Sequence, residues 1–264
     1  MSVDEIPGGQ LRSLLSLATD LAQQAGALLL SMRREPLTAR SKSSATDQVS
    51  AADDAAQHLI IDAISRARPL DGILAEEGIR TTSTSGLTWV VDPLDGTTNY
   101  LRGYPGWAVS ICVRNKDEPV VAVVLDPVAR ASYEAIRGDG ATRNGDAIHV
   151  SDVTQPGEAL LATGFSYIAD RRRSQAALMS AVLPQVADIR RGGAASLELC
   201  HVAEGAVDAF AENDLVEWDW AAGALIVREA GGVTAQWSGG EHVSGIIAST
   251  PGLMPALSTL LGLS

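Results

Sequence analysis

Between residues 89 and 150 five apolar segments follow one another at close quarters, and this run constrains the fold more than any other feature of the chain. They are 89–91, 107–113, 120–125, 132–136 and 147–150, separated by turn clusters such as Asn115-Lys-Asp-Glu-Pro119 and Gly138-Asp-Gly140. Strands so close in sequence predict an antiparallel meander. Ahead of them, apolar residues recur at helical spacing over 11–33 and again over 50–68, with Pro69 just beyond the second helix. Two helices can cover one face of such a sheet. After residue 151 strands and helices alternate. Strands are expected at 160–163, 206–211, 233–237 and 246–249, and helices at 174–186, 193–204, 219–230 and 255–261. The fold class is therefore α/β: an α+β half with an antiparallel sheet over 1–150 and an α/β half over 151–264, sharing one body with a soft boundary.

A chain of 264 residues can bury a substantial core, and its 20% charged residues match an ordinary globular protein. The net charge of −12 argues against a sequence-independent grip on nucleic acid or anionic lipid. Cys112 and Cys200 stand far apart in apolar runs, which fits free thiols in a reducing compartment. The four histidines form no zinc spacing. Neither a signal peptide nor a membrane-length apolar run is evident, so a soluble, cytoplasmic protein is expected. Gly138-Asp-Gly-Ala-Thr-Arg-Asn-Gly145 matches no phosphate-binding P-loop and reads as a hairpin turn, and Arg171-Arg-Arg173 as a solvated helix start.

The chemistry is concentrated in carboxylates. In Trp89-Val-Val-Asp-Pro-Leu-Asp-Gly-Thr-Thr-Asn-Tyr100 a buried strand runs into Asp92, Pro93 restricts the next backbone angle, and Asp95 precedes the turn Gly96-Thr97-Thr98. Two acids at a strand end can converge on one hard cation, and free N–H groups beyond them can hold a phosphate. Asp219 stands where a Trp-flanked segment enters a helix, a position that also suits an ordinary N-cap. Glu76 follows Gly72-Ile-Leu74 on a loop. Ser50-Ala-Ala-Asp53 fits a capping box as well as a functional acid, and Asp47 shapes the loop before it.

The segment 89–100 resembles the first signature of the inositol monophosphatase family of magnesium-dependent, lithium-sensitive phosphatases, with the look of its bacterial members. Trp218-Asp-Trp-Ala-Ala-Gly-Ala-Leu-Ile-Val-Arg-Glu-Ala-Gly-Gly232 is similar to the second. Lys42-Ser-Ser44, Asp47-Gln-Val-Ser50, the Glu76-Glu77 pair and Arg190-Arg-Gly-Gly-Ala-Ala195 extend the resemblance, although Ala75 stands where the family usually has Gly. The resemblance implies a layered αβαβα sandwich of the inositol monophosphatase and fructose-1,6-bisphosphatase type. It also implies two or three Mg²⁺ held by Glu76, Asp92, the Leu94 carbonyl, Asp95 and Asp219. Such an all-oxygen set suits Mg²⁺ and not zinc or copper. By the same resemblance Thr97 works with Asp53 on the attacking water, and the N–H groups of Asp95, Gly96 and Thr97 hold phosphate. Gly193, Ala194, Ala195, Glu212 and Asp219 meet a polyol leaving group. The implied reaction is hydrolysis of inositol 1-phosphate without a phosphoenzyme. Histidinol phosphate, fructose 1,6-bisphosphate and adenosine 3′,5′-bisphosphate remain as alternatives, as does a regulatory protein-binding module. The resemblance also implies a homodimer, while the negative charge leaves no nucleic-acid or membrane partner expected.

Overall fold

The structure is a computed structural model that describes residues 6–33, 39–41, 48–76, 78–237 and 244–263, with backbone alone at 39–41 and 48–50. Lys42-Ser-Ser44, Asp47 and Glu77 lie outside the described residues.

The chain opens with α1 (Gly8–Met32), a short antiparallel pair β1 (Ala39–Ser41) and β2 (Gln48–Ser50), and α2 (Ala51–Ala67). Next come β3 (Gly72–Ala75), β4 (Arg80–Thr81), β5 (Thr88–Asp95) and the short α3 (Thr97–Leu101). The meander follows as β6 (Ala108–Arg114), β7 (Pro119–Asp126), β8 (Ala131–Ile136), β9 (Ala141–Arg143) and β10 (Asp146–Ala147). The second half comprises β11 (Leu160–Thr163), α4 (Ala169–Val182), β12 (Asp188–Arg190), α5 (Ala195–Ala203) and β13 (Ala209–Asn213). It ends with α6 (Glu217–Glu229), β14 (Val233–Gln236), β15 (Gly245–Ser249) and α7 (Met254–Leu260).

These elements build an eight-stranded sheet of order β10-β9-β8-β7-β6-β5-β3-β4 and a five-stranded sheet of order β12-β11-β13-β15-β14. The large sheet is antiparallel except where β3 runs parallel to β5. Both of its faces are buried, so its strands sort side chains by alternation rather than by polarity. On β7, Val121, Val123 and Leu125 pack with α1 and α2, while Ala122 and Val124 pack toward α5 and α6. A third apolar cluster, including Met179, Val182, Ala209, Ile247 and Leu257, lies under α4 and α7 on the far side of the smaller sheet. The layer order is helix pair, sheet, helix pair, sheet, helix pair: the αβαβα sandwich expected.

Several boundaries differ from the sequence expectation. The strand expected over 147–150 ends at Ala147. Beyond it the chain leaves the sheet edge, and the Val150 N–H donates to the Ala230 carbonyl at the end of α6. The helix expected over 174–186 begins five residues earlier and gives way to a 3-10 turn at Leu183–Gln185, where Pro184 cannot extend the α-helical ladder. The strand expected from 206 starts at Ala209. Just before it, the Asp208 N–H donates to the Leu160 carbonyl, while its carboxylate accepts from the Leu160 N–H and the Ser151 hydroxyl. The helices expected from 193 and 219 begin at Ala195 and Glu217. The 138–145 segment holds the short strand β9, and Asn144 and Gly145, both at positive φ, close a two-residue hairpin onto β10. The sequence pattern does not mark the short strands β1, β2, β3, β4 and β12.

Candidate active site

A cavity of about 320 Å³ opens where β5, β11 and β13 end and α6 begins, the position favoured by ligands at the carboxyl ends of strands. Glu76, Asp92, Leu94, Asp95, Gly96, Thr97, Gly193, Ala195, Glu212 and Asp219 all line it. Ala194 is buried beside it, its Cβ close against Gly96. Asp53 does not line it. It lies fully buried in the first turn of α2 and raises the pKa of Asp92 by repulsion.

Asp92 and Asp95 reach one pocket through an irregularity in β5. Residues three apart on a regular strand point to opposite faces. Against β6, however, Asp92 stands opposite Ser110 and Asp95 opposite Ala108, so β5 spends one residue more than its partner. This bulge resets the alternation and turns both acids the same way. Gly96 then takes φ +85°, a left-handed conformation, and starts α3. The Thr97 hydroxyl donates to the Leu94 carbonyl at 3.0 Å, and an Asp92 carboxylate oxygen accepts from the Leu94 N–H at 3.0 Å.

The other acids are held from outside their own segments. Oδ2 of Asp95 accepts from both the N–H and the hydroxyl of Ser196, at 2.7 and 2.5 Å. The cap residue of α5, Ala194, has no side chain able to bond the first turn. Asp95 therefore caps that helix from the other half of the chain. Asp219, read from sequence at the start of α6, is its third residue. One of its carboxylate oxygens accepts from the Val216 N–H at 2.6 Å, closing the helix start. Glu212 lies over Gly164, where any side chain would strike its carboxylate. Ser196 is the functional residue that sequence reading missed. A polar residue in a first turn preceded by two alanines was the available signal.

Burial dominates the electrostatics. Asp92 is pushed well above the usual carboxylate range by burial and then by Glu76, Asp95, Asp219 and Asp53. Burial also raises Asp219 strongly, with Asp95, Glu76 and Glu212 adding to it against the Val216 hydrogen bond. Asp95 is raised to about 6 by burial despite the Ser196 donors. Glu212 is raised to about 8 by burial and by Asp95, with Arg191 pulling the other way. Arg171 and Arg191 also line the cavity, with Phe165, Tyr167 and Trp218 among its aromatic walls. Arg171 pairs with Asp214, which corrects the reading of 171–173 as merely solvated. Arg173 does stay at the surface with Asp170.

Among the described residues no three His, Cys, Asp or Glu side chains form a finished metal cage. The acids instead share one cavity as mutually repelling groups. Oxygen donors lining one cavity and so poorly balanced in charge fit a hard divalent cation. Because Asp92, Asp95, Glu212 and Asp219 hold protons in the folded state that they release when unfolded, stability falls as pH rises from about 4 to about 8. In cation-free buffer the melting temperature should be lower at pH 8 than at pH 5, and Mg²⁺ should raise it more at pH 8. A flat profile without cation would contradict this electrostatic picture.

An acidic crevice between two sheets of a five-layer αβαβα sandwich is the frame against which relatives can be compared. The model of the inositol monophosphatase family matches residues 10–261. Nus factor SuhB of Pseudomonas aeruginosa is 40% identical over 239 residues, 88% of each chain. Inositol-1-monophosphatase SuhB of Mycobacterium tuberculosis is 37% identical over 277 residues, covering 97% of this chain and 95% of the relative. The crystal structure of extragenic suppressor protein suhB from Bartonella henselae superposes with a TM-score of 0.88 at 35% identity, over 94% of this chain and 98% of that one. The chain belongs to the inositol monophosphatase family. No helix among the described residues is long and apolar enough to cross a membrane.

Proposed function

We propose that the protein is a Mg²⁺-dependent phosphomonoesterase that hydrolyses inositol 1-phosphate to inositol and phosphate by direct attack of water. The observation that carries this reading is the bulge of β5, which brings Asp92 and Asp95 together in one cavity with Glu76 and Asp219. Those four carboxylates and the Leu94 carbonyl would hold two or three Mg²⁺. When bound, the ions polarise the phosphoryl group and lower the pKa of water, the charge neutralisation on which phosphoryl transfer depends.

The remaining steps belong to the chain itself. The Thr97 hydroxyl, whose proton here goes to the Leu94 carbonyl, would offer its lone pairs to the attacking water. Asp53, buried on α2, would act with it by taking that proton in place of the carbonyl. The N–H groups of Asp95, Gly96 and Thr97 bind phosphate oxygens. Glu212 accepts from or donates to leaving-group hydroxyls, and the small residues Gly193, Ala194 and Ala195 leave space for a polyol ring beside Asp219. We place the protein in the cytoplasm, as a homodimer.

The test is phosphate release from inositol 1-phosphate, histidinol phosphate, fructose 1,6-bisphosphate and adenosine 3′,5′-bisphosphate, with and without Mg²⁺ and Li⁺. Inositol 1-phosphate should give the highest kcat/KM, with full dependence on Mg²⁺ and inhibition by millimolar Li⁺. Turnover without a divalent cation, or preference for another substrate, would overturn the assignment. A second reading, a protein-binding regulatory role, is favoured by the relatives named Nus factor. Partner capture by the Asp92→Asn variant, equal to that by the parent, would separate this role from catalysis.

A further inference from the structure

None of the four cation-facing acids lies on α4, yet one face of that helix holds both segments that form the open end of the cavity. Gln175 is 6% exposed and sits behind the cavity wall. Its side-chain carbonyl accepts from the Ser166 N–H at 2.8 Å. Its amide nitrogen donates to the Asn213 carbonyl at 3.2 Å and to the Asn213 side chain at 2.7 Å. One turn earlier Arg171 pairs with Asp214, and Arg172 donates to the Ser166 carbonyl at 2.8 Å. The two segments so held line the cavity with Gly164 through Ile168 and with Glu212 and Asp214 through Val216.

The topology explains why a side chain is needed there. β11 and β13 are parallel neighbours whose ladder ends at the pair Thr163 and Ala211. Beyond that pair the two segments no longer bond to each other through their backbones, although Glu212 and Asn213 stay paired to β15 on the other edge. The primary amide of Gln175 supplies an acceptor to one segment and a donor to the other, as a peptide group between two strands does. Buried and using both ends, it resists any change in the gap that it spans. Glu212 adjoins Asn213 and lies against Gly164, so its carboxylate is aimed by the same gap.

We propose that Gln175 is a positioning residue for leaving-group selectivity: it ties Ser166 to Asn213 and thereby fixes both the gap that receives the leaving group and the aim of Glu212. The proposal rests on the phosphatase reading of the cavity. The experiment compares the parent with Gln175→Leu, which keeps the volume, and Gln175→Glu, which keeps the acceptor but loses the donor to Asn213. Substrates are inositol 1-phosphate and p-nitrophenyl phosphate, whose leaving group has no polyol hydroxyls. KM for inositol 1-phosphate should rise about tenfold or more. KM and kcat for p-nitrophenyl phosphate, and the Mg²⁺ concentration for half-activation, should stay within twofold. Amide hydrogen exchange should accelerate together at 164–168 and 212–216. Equal losses on both substrates, or no loss on either, would overturn the proposal, as would unchanged exchange in both segments. If Gln175→Leu fails to fold, Gln175→Glu carries the same comparison. A parent inactive on both substrates refutes the phosphatase reading instead, and the exchange measurement still decides whether Gln175 holds the two segments.

Discussion

Asp92→Asn should lower Mg²⁺-dependent kcat/KM by about a thousandfold or more, the scale on which removal of a key electrostatic group acts, while leaving the fold intact. The side chain keeps its shape, and its remaining oxygen still accepts from the Leu94 N–H. What disappears is a buried negative charge surrounded by Glu76, Asp95, Asp219 and Asp53. Two further consequences distinguish this from simple damage. Without cation the variant should melt no lower than the parent, and its advantage should widen with rising pH, because the parent must hold a proton there or carry an unbalanced charge. The rise in melting temperature on adding Mg²⁺ should be largely lost. Turnover near the parent level, or an undiminished response to Mg²⁺, would remove Asp92 from the cation site.

Gly96→Ala should cost about 3 kcal/mol of stability, roughly 10 °C in melting temperature for a chain of this size, and about a hundredfold in kcat/KM. Two penalties add at this one atom. The backbone is left-handed at φ +85°, and a Cβ would come within 2.9 Å of the Gly106 carbonyl oxygen and 3.2 Å of both Ala194 and Trp107. Backbone on one side and a buried core on the other cannot yield easily. The relief is a shift of the turn itself, which carries Asp95 and Thr97 with it. Activity should therefore fall further than the unfolded fraction accounts for. A variant whose kcat/KM stays within twofold would show that this turn does not position the reacting groups.

The acids of the site were legible because Asp-Pro-Leu-Asp-Gly-Thr is a dense local string at a strand end, and so were the layers, because periodicity shows which segments bury two faces. How those acids meet was not legible. The bulge in β5 exists only relative to β6, so no property of 89–100 alone reports it. The support from Ser196 crosses 101 residues, and Gln175 reaches 38 residues to Asn213. Both side chains carry no charge and sit in helices, where a polar residue usually signals solvent. Asp53 shows the converse: its spacing fits an exposed capping box, yet packing buries it completely. Boundaries failed where a contact distant in sequence shapes the strand end, as where the Asp208 carboxylate takes the Leu160 N–H ahead of β13.

The hydrogen bonds from Ser196 to Asp95 also bear on the order in which the molecule becomes complete. While the chain is being made, β3 to β10 can pair before α5 has left the ribosome, with Glu76, Asp92 and Asp95 already on their strands and loops. Asp95 still has no donor, and the first turn of α5 has no cap. A single docking event supplies both, at a sequence separation of 101 residues. Loop closure over such a distance comes late, because the entropy of bringing the ends together is lost before the contact returns anything. The start of α5 is thus tied to a carboxylate that lines the pocket. In a nascent or truncated chain lacking α5, Asp95 lacks both donors that Ser196 supplies in the finished fold.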